Sequence, residues 1–116
     1  MSEVWRQFVD EGAAAKGEPI ACIAFEGEII EWRGPAPYLF VAIPADQVGE
    51  IRFAAHAASY GWGCVPVEAR IGSTDFTTSL FPRGETYLLP VKVAVQRAAG
   101  AGLGDSVDVM IRVFAR

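Results

Sequence analysis

The chain is poor in the residues that most often carry chemistry: two cysteines, Cys22 and Cys64, and one histidine, His56. Neither cysteine has a second Cys or a His at metal-ligand spacing, so the sequence supports no zinc site. In a reducing compartment such a pair stays as free, buried thiols rather than a structural disulfide. Catalysis by histidine needs an orienting partner and a nucleophile within hydrogen-bond reach. His56 lies in an alanine-rich segment with neither nearby in sequence, which assigns it to a helix surface or to packing. No apolar run approaches the ~20 residues that span a bilayer. The N-terminus also lacks the basic and apolar regions of a secretory leader. The expectation is a cytoplasmic protein with no membrane association, no metal and no cofactor.

A basic stripe is missing too. Residues 1–31 carry seven acids against two bases, residues 32–116 carry eight bases against seven acids, and the whole chain has a net charge of −4. Duplex binding relies on cations that displace phosphate counterions, so no nucleic-acid partner is expected. Three further motifs fail on context. Ser79 stands mid-strand without the Gly-x-Ser-x-Gly elbow that exposes a nucleophile. Glu26, Glu28 and Glu31 cluster along one strand and read as a solvated face. Gly100-Ala101-Gly102-Leu103-Gly104 follows a helix and precedes a strand, the reverse of phosphate-loop order, and no Lys-Ser/Thr pair follows it.

What is present is a small β domain organised around residues 77–109. Phe76, Thr78 and Leu80 alternate with Thr77, Ser79 and Phe81, the period-2 pattern of a strand. Pro82-Arg83-Gly84 predicts a turn, and Tyr87-Leu88-Leu89 a short return strand. Pro90 marks a helix start, Val91, Val95, Ala98 and Ala99 form its apolar face, and Gly100 supplies the left-handed residue that stops it. Val107, Val109, Ile111 and Val113 alternate as a final strand. Upstream, residues 20–33 read as one long strand in which Gly27 marks a bend. Gly34-Pro35-Ala36-Pro37 is a hairpin loop and residues 38–43 a nearly continuous apolar strand. Residues 45–58 form a helix with Asp46 in its first turn, and residues 64–71 another strand. Residues 2–15 suggest a short helix presenting Val4, Trp5, Phe8 and Val9, which needs a docking surface on the barrel or on a second copy.

Several motifs in register carry a family resemblance. Gly61-Trp62-Gly63-Cys64-Val65-Pro66-Val67, Thr78-Ser79-Leu80-Phe81-Pro82, Tyr87-Leu88-Leu89-Pro90-Val91-Lys92 and Gly104-Asp105-Ser106-Val107 occur in that order. With Phe25-Glu26-Gly27-Glu28-Ile29 and Phe40-Val41-Ala42-Ile43-Pro44, they resemble the bacterial single-domain family DUF1905. The resemblance covers residues 20–116 and implies a small, partly open β-barrel with a helix packed on it. It implies no established activity and no catalytic residues. The expected fold is therefore mainly β, a double-split-barrel-like structure of about six strands with one or two helices. Residues 1–19 form a helix-and-linker extension to it. The run from Leu89-Pro90 to Gly104-Asp105 is also similar to the swapped-hairpin DNA-binding family typified by AbrB and MazE. There the Gly-Asp follows the proline sooner and basic residues abound, so shared topology is expected rather than shared function.

One constellation suggests binding. Tyr60 and Trp62 lie in a glycine-rich loop, while Arg70, Arg83, Tyr87 and Lys92 lie on adjacent elements. Aromatic faces with convergent cations suit a small anion or a peptide carboxylate, and Trp62 with Lys92 is the pair expected to line a barrel mouth. The competing assignment seals one barrel end with Trp62 and leaves Lys92 solvated. The expected function is a non-enzymatic binding or interaction module for a small molecule or peptide, with self-association through the N-terminal helix. The alternative is a DNA-binding regulator. The charge balance separates the two: titration with mixed-sequence and AT-rich duplexes at low salt is expected to show no submicromolar binding. A steep dependence of affinity on salt would refute that reading.

Overall fold

The computed structural model describes residues 18–32, 38–59 and 63–115. The N-terminal helix expected over residues 2–15, the loop at 34–37, Tyr60 and Trp62 lie outside them. In chain order the elements are β1 (Ala21–Glu28), β2 (Ile30–Trp32), β3 (Tyr38–Ala42), α1 (Val48–Ala58), β4 (Val65–Ile71), β5 (Thr74–Arg83), β6 (Thr86–Pro90), α2 (Val93–Ala99) and β7 (Ser106–Val113). The strands form one curled sheet in the order β1-β7-β4-β5-β6-β3-β2, with antiparallel neighbours throughout. Among the described residues the result is a half-barrel with two helices, the mainly β architecture expected from the sequence.

The extra strand comes from the long first segment, which splits into two. β1 and β2 are separated only by Ile29, yet they occupy opposite ends of the strand order. Ile29 therefore sits at the corner where the curled sheet brings its two edges together. Its N–H donates to the Asp105 carbonyl at 2.9 Å and its carbonyl accepts from the Gly104 N–H at 2.9 Å. Its side chain is fully buried. Gly27 explains how the edges come so close: a Cβ built there would lie 2.7 Å from Val41 Cγ1. The bend foreseen at Gly27 is thus a close approach of β1 to β3, with the turn of the chain itself at Ile29.

β5 links the two layers of the curled sheet, a first layer of β1, β7, β4 and the start of β5 and a second of the end of β5 with β6, β3 and β2. Its first seven residues pair with β4, from Thr74 opposite Ile71 to Leu80 opposite Val65. Phe81–Arg83 pairs instead with β6. This corrects the turn predicted at Pro82-Arg83-Gly84: the strand continues through Arg83, and the turn is Gly84-Glu85, with Gly84 at φ 59°. Pro82 is tolerated because it lies past the β4 ladder, where no bond to that strand requires its N–H.

Both helices begin later than their periodicity suggests. Pro90 ends β6 opposite Phe40, and the Val91 N–H still donates to the Leu39 carbonyl at 2.9 Å. The chain stays extended through Lys92, the N-cap at ψ 160°, and α2 starts at Val93. Gly100 ends it at φ 65°, the left-handed stop that the sequence predicts. Residues 45–47 form a turn, so α1 opens at Val48 and its first-turn acid is Glu50, not Asp46. The Gln47 side chain donates Nε2–H to the Ala24 carbonyl at 3.0 Å, tying the start of α1 to edge strand β1.

Val48, Ile51, Ala54 and Ala58 of α1 join Ile23, Val41, Val65, Ile71, Leu80, Leu89, Val109 and Ile111 in the core. Phe25 and Val107 pack against this core while only partly buried. Phe40 is buried but does not belong to that cluster, because Val41, its neighbour of opposite parity, takes the inward position. Cutting the fully buried Leu80 back to alanine is expected to cost about 2–5 kcal/mol in urea unfolding. Gly27→Ala should cost about 1–3 kcal/mol through overpacking. A Gly27→Ala/Val41→Ala double variant should be more stable than the sum of the two single changes predicts. Simple additivity would remove Gly27 from the closure.

Candidate functional site

The strand register decides which side chains point away from the core. In the second layer Phe40 faces Pro90 across β3–β6, Phe81 faces Leu88 across β5–β6, and Ile30 faces Phe40 across β2–β3. These positions have the parity opposite to inward-facing Val41 and Leu89, so they form the outer surface. That surface is unusually apolar for one facing water. Tyr38 is 61% exposed, Phe81 45% and Ile30 39%, while Phe40 and Leu88 are buried beneath them.

A cleft of about 510 Å³ opens on this face. Phe40 and Pro90 form its floor, with Tyr38 and Phe81 alongside. Tyr38 stands edge-on to Phe40, with ring centroids 6.3 Å apart and planes at 61°, a favourable aromatic geometry. Thr78 and Ser79 of β5 line one part, and Lys92 brings an exposed cation to the rim. The delayed start of α2 is what puts Lys92 there, on extended backbone two residues beyond Pro90. A shallower depression of about 170 Å³ adjoins the cleft, sharing Phe40 and Phe81 and adding Pro82, Arg83 and Leu88.

The residues singled out in the sequence thus separate. Lys92 and Arg83 come to the two adjoining hollows flanking Phe81. Tyr87 does not join them: it is 8% exposed and packs in the core, because it faces inward with Leu89. Arg70 does not line the cleft either. It sits on the outer face of the first layer and pairs across the hairpin with Asp75, at 2.5 Å from Nε and 3.0 Å from Nη2. Tyr60 and Trp62 lie outside the described residues, as therefore does the expected Trp62–Lys92 mouth. Missed in the sequence were Tyr38, Phe40 and Phe81. The available signal was parity, since Phe81 directly follows inward-facing Leu80 and must point outward.

The outer face of the first layer differs in chemistry. Glu68 and Arg112 are partners across β4–β7. One carboxylate oxygen of Glu68 accepts from Arg112 Nε at 2.8 Å and lies 2.7 Å from Nη2. The Arg112 guanidinium also lies over the Phe114 ring, 6.0 Å from its centroid. Cys22 stands opposite Arg112 in register. Burial pushes the Cys22 thiol up, and the positive charge of Arg112 offsets part of that rise. Cys22 and Cys64 are free thiols and only half-buried, less covered than expected. Glu26 and Glu28 are exposed along β1, and His56 is exposed on α1.

Burial separates the two ion pairs. The Glu68 and Arg112 side chains are 15% and 8% exposed, whereas Asp75 is 53% exposed. Glu68→Ala strips Arg112 of the carboxylate that two of its nitrogens approach, and should cost about 2–4 kcal/mol. Asp75→Ala should cost about 0–1 kcal/mol. Equal shifts of the urea midpoint would contradict this ordering.

Among the described residues no helix is long and apolar enough to cross a membrane. A comparison with curated proteins finds no match. A family model described as a domain of unknown function (DUF1905) matches residues 25–111, from the middle of β1 through most of β7. With most of its length matched, the chain belongs to the DUF1905 family.

Proposed function

We propose that this chain is a non-enzymatic binding module of the cytoplasm, whose outer-face cleft takes a small anionic ligand or the carboxylate of a peptide. The observation that carries this reading is the exposure of Tyr38 and Phe81 around the Lys92 cation. Large aromatic side chains left half in water on a structured sheet are costly unless something covers them. The cleft's volume lies within the range of small-molecule sites, about 300–1,000 Å³, and its lining matches their usual pattern of apolar walls with a few polar groups.

A binding role fits the lining better than catalysis. Among the described residues no carboxylate, imidazole or thiol lines the Lys92 cleft. The groups that could move protons lie elsewhere: Glu68 is held by Arg112, and His56 is exposed on α1. The DNA-binding alternative gains no support from this surface. Arg70 and Arg112 are engaged by Asp75 and Glu68, and β1 presents Glu26 and Glu28 to solvent.

The test is a thermal-shift screen of small metabolites and short peptides against the full chain and Phe81→Ala. At ten times its Kd, a ligand stabilises the native state by about 1.4 kcal/mol, roughly 5 °C for a domain of this size. Anionic compounds are expected to shift the wild-type chain by that amount and the variant by far less. Equal shifts in the two proteins would move the site away from this cleft.

A further inference from the structure

We infer that the ligand of the Lys92 cleft is an aryl monocarboxylate, its flat ring seated between Phe81 and Tyr38 and its carboxylate on the Lys92 ammonium. This rests on reading the cleft as a ligand site and adds the ligand's shape and charge.

Shape comes from the aromatic framework. Phe40, 8% exposed, is a covered floor, while Tyr38 and Phe81 stand beside it with about half their surface open. Tyr38 already meets Phe40 edge-to-face. A planar ring entering the hollow meets side-chain rings at its borders, and aromatic pairs favour offset-stacked and edge-to-face contacts.

Charge comes from the polar lining. Among the described residues Lys92 is the only charged side chain lining the cleft, and it makes no ion pair with another of them. No acid there competes for it. One ammonium matches one negative charge and gives a compact point contact rather than a planar fork. A phosphate dianion is usually held by several converging donors, and its second charge would find no partner here. Thr78 and Ser79 complete the lining with uncharged groups.

Area argues against a second copy of the chain as occupant. Ile30, Tyr38 and Phe81 together leave roughly 300 Å² of side chain exposed on this face, taking about 200 Å² for each whole side chain. A stable protein partner needs about 800 Å² on each side, of which about 450 Å² is apolar. The patch is the size of a small molecule.

The experiment is an NMR titration of the full, isotope-labelled chain with benzoate, benzyl alcohol and phenyl phosphate, following backbone amides. Benzoate should shift the amides of Tyr38, Phe40, Ser79, Phe81 and Lys92, and bind at least tenfold tighter than benzyl alcohol and tighter than phenyl phosphate. Lys92→Met should weaken benzoate about tenfold and leave benzyl alcohol unchanged, while Lys92→Arg retains benzoate binding. Amides outside the cleft serve as the control that each variant is folded. If benzyl alcohol matches benzoate, or phenyl phosphate binds tightest at the same amides, the monocarboxylate assignment is overturned while the cleft stands as a site. If none of the three probes moves these amides, the site reading falls as well.

Discussion

The fold depends on the contact between Gly27 and Val41. A sheet of seven short strands can bury one face only by curling, and curling brings its edge strands together. Here those edges are β1 and β2, consecutive in the chain and separated by Ile29. The absent side chain at Gly27 lets β1 pass within van der Waals range of Val41 on β3. The Asp105 carbonyl and Gly104 N–H then hold the corner by pairing both backbone groups of Ile29. A buried corner with unpaired backbone would be costly, so the loop after α2 is part of the closure rather than a connector.

Closure also fixes the character of the two outer faces. In the first layer the outward positions of β7 and β4 carry cross-strand charge pairs, Arg112 with Glu68, and β4 and β5 add Arg70 with Asp75. In the second layer the outward positions carry Tyr38, Phe40, Leu88 and Phe81. One curved sheet thus has a back whose charges pair across the strands and an aromatic face with a single nearby ammonium among the described residues. Charges paired with each other are poor partners for a ligand, whereas exposed rings beside a cation that meets no acid among the described residues are suited to one.

The helices serve these faces differently. α1 packs its apolar residues against β1, β4 and β7 and fills the open side of the half-barrel. The Gln47 side chain meets a carbonyl at the β1 edge, where an unpaired strand would otherwise invite association. α2 is short and adds little core beyond Val95. Its larger effect is positional, because the extended residues ahead of it carry Lys92 to the cleft rim. The Gln96 side chain donates to the Val91 carbonyl at 2.8 Å and fixes that approach.

The sequence by itself determined the strand-rich class, most strand and helix positions, the Gly100 stop and the importance of Gly27. These follow from local rules: the two-residue period of a half-buried strand, the φ freedom of glycine and the rigidity of proline. It also showed Lys92 and Arg83 as cations near aromatic residues. Only the tertiary structure decided what a nearly continuous apolar run could not reveal, namely that Val41 faces inward and Phe40 outward. Periodicity is silent where both faces are apolar, and the choice belongs to the partner strand across the ladder. The same reason hid Pro82 within β5, delayed α2 past Lys92 and sent Tyr87 to the core. For α2 and Tyr87 a hydrogen bond or packing contact from residues distant in sequence outweighed the local preference, and for Pro82 the pairing of β5 with the adjacent β6 did.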